Sequence, residues 1–400
     1  MSGSLARFRL VCRAVKRVLI VRGHQATPWE LRPWQELPER FEVSYLLTER
    51  NAHPPLAGLR PVRVRSLRDL LPPGRLGEVG AIGLGDRYLA AEDAFAQADI
   101  VHAEELSYWF AAEAARRKAR HDFRLVQTVW ETLPHMVTYR NRNARRYREL
   151  VLAQTDLFLP ATERAATALR LEGVGEERML VCPPGIDVDR FAATAPDPPP
   201  AEHTILSPGR LEWQKGHHDV LRAVAALHRG LVKLPDGSAV RPRLLIVGAG
   251  PEEERLRAHA AELGLAEAVQ IRSVSYEQMP EVFATASAMV LASQSSADAA
   301  YHPFDVPHAF WEEQFGYVLA EAMAAGLAIV STTNGAIPEV LGDTPADLLA
   351  PGDWMGMARA LADGALSRPP ATRVPHSPAL VRRYSTAAAA ERLTAAYDRL

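Results

Sequence analysis

The chain has 400 residues and a formal net charge of −2, with 48% of its residues apolar and 24% charged. That length points to two domains, and the near-neutral charge gives no global sign of a nucleic-acid partner. Two cysteines, Cys12 and Cys182, form no disulfide or metal framework and suit a reducing cytoplasm, and no apolar run reaches the roughly 18 residues of a membrane span.

The chain opens on a basic amphipathic run, Ser4–Arg17, with no apolar core and cleavage site of the signal-peptide kind. A disordered extension and a membrane-surface helix are both open readings of it. From there short β-branched or Leu-rich runs alternate with Ala- and Arg-rich helical stretches, the pattern of an α/β protein with parallel sheets. Strands are expected at Arg17–Val21, Phe41–Thr48, Val62–Val64, Ile100–His102, Arg124–Val129, Leu157–Leu159 and Met179–Val181. Helices are expected at Leu106–Arg120, Asn143–Ala153 and Glu163–Leu171. The Pro- and Ala-rich stretch Ala192–His203 reads as a stiff linker.

A second series starts with a strand at Thr204–Ser207 and continues with helix His218–His228, strand Arg243–Val247, helix Pro251–Leu263 and strand Ala268–Ile271. Helix Met279–Ala286 and strand Ala288–Leu291 follow, then a Glu-containing helix, strand Ala328–Ser331 and a final helix Thr386–Leu400. The fold class is therefore α/β, with two doubly wound domains facing across a cleft. Domain bounds are expected at 1–195 and 203–377, with a last helical segment at 378–400. The cleft, at the strand carboxyl ends, is the default ligand site. The polar segment Gln294–Phe310 breaks the α/β rhythm just before Glu313, and is either a functional loop or disordered.

The most informative stretch is E-Q-F-G-Y-V-L-A-E-A-M-A-A-G, Glu313 to Gly326. Gly316 stands where a loop turns into a helix, and backbone N–H groups there suit a phosphate or diphosphate. Glu321, one to two turns on, can accept hydrogen bonds from a diol such as a ribose. Glu313 can reach a second polyol beyond the phosphates. An amphipathic helix with two surface glutamates is the bland alternative. Upstream, S-P-G-R-L-E-W-Q-K-G places Arg210 and Lys215 on the loop after the first strand of the second series, where both cations can point at one anion. Two solvated loop cations are the alternative there. The turn Gly248–Pro251 lacks the full G-x-G-x-x-G and supports no dinucleotide fingerprint.

In order and spacing, G-R-L-x-x-x-K-G, L-I-V-G-A-G-P, E-Q-F-G-x-x-x-x-E-A-M-A-x-G and N-G-A-I-P-E-V resemble the retaining nucleotide-sugar glycosyltransferases called glycosyl transferases group 1, or family four. The resemblance is strong over Thr204–Pro351 and moderate over Asp156–Phe191, where P-P-G-I-D-V-D-R-F matches the family's exit from its first domain. It implies that Arg210 and Lys215 neutralise the donor diphosphate and help the nucleotide leave, beside Gly209. It implies that backbone groups at Gln314, Phe315 and Gly316, with Tyr317, hold the sugar and distal phosphate. Glu313 would bind sugar hydroxyls and Glu321 the ribose, with Arg210, Lys215 and Glu313 the catalytic set. The resemblance further implies that both domains are Rossmann-like and that residues 378–400 cross back to the N-terminal domain. No metal and no cofactor beyond the nucleotide-sugar donor is implied. The acceptor would be a glycan, lipid-linked or small-molecule hydroxyl, the place the cytoplasm or the inner face of a membrane. A non-catalytic nucleotide-sugar-binding partner and a synthase-like enzyme of the same fold are the alternatives.

The chain departs from that family in places. Trp130, in Q-T-V-W-E-T-L-P-H, stands where many members carry His, which leaves Glu131 and His135 as acceptor-side candidates or as structural residues. The usual Gly-Gly after the first strand is reduced to Gly23. Glu104, after the strand ending near His102, is a further acceptor-side candidate. Asp187-Val188-Asp189 looks like a metal-binding D-x-D but reads as part of the interdomain exit. His217 and His218 are adjacent, diverge on a helix and read as helix-start residues. The basic run Tyr139–Leu150 keeps three readings: a solvated helix face, attraction to anionic lipid head groups, or a charged acceptor site.

Overall fold

The structure is a computed structural model that describes residues 15–72, 74, 77, 80, 85–135, 142–192, 196, 198, 200–295 and 311–400. Most of the Ser4–Arg17 run, the start of Tyr139–Leu150, part of the linker and residues 296–310 of the polar segment lie outside the described residues. The chain divides into two compact units. One comprises Met1–Gln127, Tyr147–Asp156 and Leu393–Leu400, the other Thr128–Arg146 and Leu157–Arg392.

The first sheet contains β1 (Lys16–Ile20), β2 (Phe41–Thr48), β3 (Arg60–Ser66), β4 (Tyr88–Leu89), β5 (Ile100–Glu104), β6 (Arg124–Val129) and β7 (Leu157–Pro160). Their order is β4-β3-β2-β1-β5-β6-β7. β1 pairs in parallel with β2 and β5, β2 in parallel with β3, and β4 adds an antiparallel edge. The strand order reverses between β1 and β5, the mark of a doubly wound sheet.

The second sheet contains β8 (Thr204–Pro208), β9 (Arg243–Val247), β10 (Val269–Arg272), β11 (Ala288–Leu291), β12 (Ala328–Thr332) and β13 (Ala346–Leu349), in the order β10-β9-β8-β11-β12-β13. Every pairing is parallel. The near-continuous apolar runs suit strands covered on both faces. Alternate side chains sort to opposite faces with the two-residue period of a strand. Ile205, Leu244, Ile246 and Val290 pack with the helices His217–His228 and Trp354–Asp363. Leu206, Leu245, Val247 and Leu291 pack with Tyr317–Ala324 and Ile337–Leu341. The switch between β8 and β11 therefore carries the Arg210–Lys215 loop on one strand and the lead into Glu313 on the other.

Some expected elements differ. Met179–Val181 is not a strand. Met179 makes one bridge to Phe158, and the Leu180 and Cys182 N–H groups donate to the Phe158 and Pro160 carbonyls at 3.0 and 2.9 Å. Pro160 has no N–H to return a bond, so the ladder stops. β4, β13 and the helix Trp354–Asp363 had no counterpart in the expected series. Among the described residues, no helix is long and apolar enough to cross a membrane.

The C-terminal helix Thr386–Asp398 ends in an anchor. The Trp34 indole donates to the Tyr397 hydroxyl at 2.7 Å, and the same hydroxyl lies 2.7 Å from His102 Nδ1. Burial holds His102 well below its usual pKa, so its neutral Nδ1 can accept the Tyr397 proton. Tyr397→Phe removes both bonds inside an apolar setting and should cost about 1–3 kcal/mol in urea unfolding. An unchanged midpoint would show that the anchor contributes nothing.

Candidate functional site

The two separated motifs meet at one ion pair. The Lys215 ammonium donates to both Glu313 carboxylate oxygens, at 2.7 and 3.0 Å, with side chains 12% and 7% exposed. The Ser293 hydroxyl donates to the same carboxylate at 2.7 Å, and the Lys215 ammonium lies 4.8 Å from the Trp311 ring centroid. Local structure fixes each end. Lys215 closes the 3-10 turn Trp213–Lys215, and Gly216 then starts the helix His217–His228. Glu313 is held through its backbone: its N–H donates to Asn334 Oδ1 at 2.6 Å, and its carbonyl accepts from the Ala336 N–H at 2.8 Å.

Asn334 also donates to the Gln294 carbonyl at 3.1 Å, so it ties the Glu313 loop to the segment after β11. The next residue, Gly335, has φ +56° and would place a Cβ 2.3 Å from the Glu313 carbonyl oxygen. Only glycine lets these backbones touch there. Glu312 is held by a two-point fork from Arg164, both bonds 2.6 Å, with the Thr132 hydroxyl 3.3 Å away. The Glu339 carboxylate of the N-G-A-I-P-E motif accepts from the Glu163 and Arg164 N–H groups at 2.7 and 3.1 Å, at the start of the helix Glu163–Leu171.

Gly316, with φ +75°, is followed by the helix Tyr317–Ala324, and Phe315 is buried beside Tyr317 and Tyr384 at 5.3 Å from each ring. Trp130 lies 5.8 Å from the Tyr317 ring. Gln314 is half-buried in the same loop. Glu321 is buried, hydrogen-bonded to Tyr276, and within the field of Arg190. The Arg190 guanidinium donates to the Tyr276 carbonyl at 2.8 Å and lies 4.8 Å from its ring.

Burial raises the Glu321 carboxyl to about 7, against the lowering influence of Tyr276 and Arg190. A folded pKa above the unfolded one means that the folded state holds a proton the unfolded state has released. Stability from this group is full below its unfolded pKa of about 4.3 and is lost as pH rises through about 7. Relative to Glu321→Gln, the wild type should lose about 3 kcal/mol between pH 4 and pH 8. Urea unfolding of both proteins across that range checks it, and a pH-independent difference would contradict it.

The other candidates are each held by contacts within their own unit. Arg210 and Lys215 pair with different carboxylates: the Arg210 guanidinium is 65% exposed and lies 2.7 Å from Glu212, and Lys215 is on Glu313. Gly209 adjoins it and donates its N–H to the Val247 carbonyl at 2.9 Å. In the first unit, the Gly23 N–H donates to the Tyr88 hydroxyl at 2.9 Å. Glu104 pairs with the buried Arg22 at 3.1 Å, and burial followed by the Glu104 charge raises nearby Glu30 to about 7. In the second unit, burial raises the Glu131 carboxyl, which accepts from the Leu133 N–H at 2.9 Å. His135 is exposed at φ +54°, with its N–H on Glu172 at 3.0 Å. Asp187, the first carboxylate of the D-x-D-like run, caps its own turn by accepting from the Arg190 N–H at 3.3 Å. Among the described residues no cluster of three or more His, Cys, Asp or Glu could hold a metal ion.

The sequence had not singled out Ser293, Asn334, Tyr276 or Arg190. A signal existed for three of them, since Arg190 lies in the quoted P-P-G-I-D-V-D-R-F. Ser293 lies two residues past the carboxyl end of β11, where ligand contacts concentrate, and Asn334 opens a motif already quoted. Tyr276 and Arg190 reach Glu321 only through the tertiary fold.

The family model described as glycosyl transferases group 1 matches residues 191–373, and the model described as Glycosyltransferase Family 4 matches residues 34–190. The chain is 30% identical over 270 residues to a D-inositol 3-phosphate glycosyltransferase of Streptomyces scabiei, covering 62% of this chain and 55% of that protein. It is 34% identical over 204 residues to a phosphatidyl-myo-inositol mannosyltransferase of Mycolicibacterium smegmatis, covering 50% of this chain and 46% of that one. The chain thus spans about half the length of these curated relatives. Among solved structures, Anabaena Alr3699/HepE in complex with UDP has a TM-score of 0.68 at 16% identity, covering 96% of this chain and all of that one. A sucrose-phosphate synthase from Thermosynechococcus elongatus matches with the same score and identity, covering 96% and 98%. At that identity the likeness shows the fold alone. Two family models on consecutive stretches of one chain, and two Rossmann-like sheets beneath them, lead to one conclusion: the chain belongs to the group 1/family 4 glycosyltransferases.

Proposed function

We propose that the protein transfers a sugar from a nucleoside-diphosphate-sugar to a polyhydroxylated acceptor, with retention at the anomeric carbon and without a metal. The observation that carries this reading is the Lys215–Glu313 pair, which joins the two motifs at the reversal point of the second sheet. Breaking the sugar–phosphate bond leaves growing negative charge on the diphosphate and positive charge on the sugar. Lys215 and the solvent-facing Arg210 meet the first, once they exchange the Glu313 and Glu212 carboxylates for phosphate oxygens. Glu313 stays within reach of sugar hydroxyls when the ammonium moves to phosphate oxygens. Gln314, Phe315 and Gly316 offer backbone groups at a helix start for the distal phosphate. Glu321, with Tyr276 beside it, takes the ribose.

In this reading the leaving phosphate assists the acceptor's deprotonation on the same face, so no protein nucleophile is required. The relatives' names include inositol phosphates and colanic acid, which favours a hydroxyl-rich acceptor: a glycan, a lipid-linked sugar or a small polyol. The reaction belongs in the cytoplasm, at the inner face of the membrane if the acceptor is lipid-linked.

Incubation with UDP-, GDP-, ADP- and dTDP-sugars, with and without polyol, glycan and lipid acceptors, tests the reading. One donor should release its nucleoside diphosphate, faster with acceptor, and EDTA should leave that rate standing. No release from any donor would remove the reading. Loss in EDTA that Mg²⁺ or Mn²⁺ restores would remove its metal-free part and return Asp187 and Asp189 to the site.

A further inference from the structure

Lys215 and Arg210 lie on either side of a turn that a third residue bridges. His217 is 2% exposed and opens the helix His217–His228. Its Nε2 lies 3.2 Å from the Arg210 carbonyl oxygen, and its Nδ1 lies 2.8 Å from the Ser207 hydroxyl. A carbonyl oxygen only accepts, so Nε2 carries the proton and donates it. Nδ1 is then bare and accepts from Ser207, itself 1% exposed on β8. The ring therefore spans strand, loop and helix with one defined tautomer. Burial, with the Lys215 charge as a further influence, takes the ring down to about 4, so it stays neutral beside Lys215.

We infer that His217 is a positioning residue that fixes the Arg210 backbone relative to Lys215 and so sets the spacing of the two cations for a diphosphate. The inference rests on the donor reading above and adds to it the part that makes the site selective for two linked phosphates over one. A neutral ring suits that part. It holds the loop by a hydrogen bond without competing for phosphate and without adding a like charge beside Lys215. A residue that merely starts a helix would need neither the bond to Arg210 nor the one to Ser207.

The test compares nucleoside diphosphate and monophosphate binding by calorimetry. Wild type is titrated first with UDP, GDP, ADP and dTDP and with the matching monophosphates. The variants are His217→Phe, which keeps a planar ring and loses both bonds, and His217→Gln, whose amide N–H can still reach the Arg210 carbonyl. His217→Phe should weaken diphosphate binding by about tenfold more than monophosphate binding, and His217→Gln should recover to within about threefold of wild type, since one ordinary buried hydrogen bond is worth about that factor. Equal losses for both nucleotides, or a Gln variant no better than Phe, would overturn the inference. If His217→Phe does not fold, Ser207→Ala takes its place. It removes the donor to Nδ1 and should produce a smaller loss, about threefold, again confined to the diphosphate; no selective loss overturns the inference there too. A wild type that binds no diphosphate removes the donor reading itself, and the inference with it. Normal wild-type binding with unselective losses removes the inference alone.

Discussion

Lys215→Ala should lower sugar transfer by about 10²-fold or more and destabilise the second unit by about 3–5 kcal/mol. The two effects have different causes. Transfer falls because the ammonium is lost from a diphosphate whose charge grows in the transition state. Stability falls because the Glu313 carboxylate, 7% exposed, is left with Ser293 and no cation. Removing one partner of a buried pair costs more than the pair contributes. Adding Glu313→Gln to Lys215→Ala removes the stranded charge, so the double variant should regain most of the stability and none of the activity. Urea unfolding and nucleotide-release rates on the four proteins of this cycle separate the terms. A double variant as unstable as Lys215→Ala would mean that the pair is not the source of the stability loss. A Lys215→Ala enzyme with wild-type turnover would put the phosphates elsewhere.

Gly216→Ala should be among the most damaging single-methyl changes in the chain. Gly216 has φ +69°, and a Cβ there would sit 1.8 Å from the Ala292 carbonyl oxygen. That oxygen cannot move freely, because it accepts from Gln294 Nε2 at 2.8 Å and Gln294 also binds Asp219 at 2.7 Å. Left-handed backbone alone costs an alanine about 1–2 kcal/mol. The contact adds a displacement of either the turn that carries Lys215 or the segment after β11 that carries Ser293, the hydroxyl donor to Glu313. A loss of about 3 kcal/mol or more is expected, with slowed transfer. Gly230→Ala isolates the backbone part: its φ is +67° and nothing lies within 4 Å of a Cβ there. It should cost about 1–2 kcal/mol and leave turnover unchanged. Equal costs at the two glycines would show that Ala292 yields easily and that the turn is not tightly seated.

What the sequence makes legible here follows how local each feature is. Apolar runs such as R-L-L-I-V and A-M-V-L mark buried parallel strands, and β9 and β11 form there. Glycine at 316 marks the start of the helix that carries Glu321. The two motifs around Lys215 and Glu313 are visible because each is contiguous. Their joining is not, since 98 residues separate the partners of the ion pair. At Arg210 the motif marks the residue but not its contacts: its side chain pairs with Glu212, and its carbonyl, which no motif weighs, is the part that His217 holds. Met179–Val181 has strand composition but lies beside a proline that cannot complete the ladder. β13 is short, half exposed and acidic at Asp347, so its apolar signal is faint. Tyr276 and Arg190 meet Glu321 from separate elements, and no spacing in the chain announces that.

The central claim is that a nucleoside-diphosphate-sugar sits against the 209–216 turn and the 313–321 segment. Hydrogen exchange with and without the donor that the release assay identifies tests this most directly. Bound donor should slow exchange in peptides covering Gly209–Gly216 and Glu313–Glu321, and Lys215→Ala should abolish that protection at the same donor concentration. Protection that leaves both segments untouched, or that survives intact in Lys215→Ala, would contradict the account.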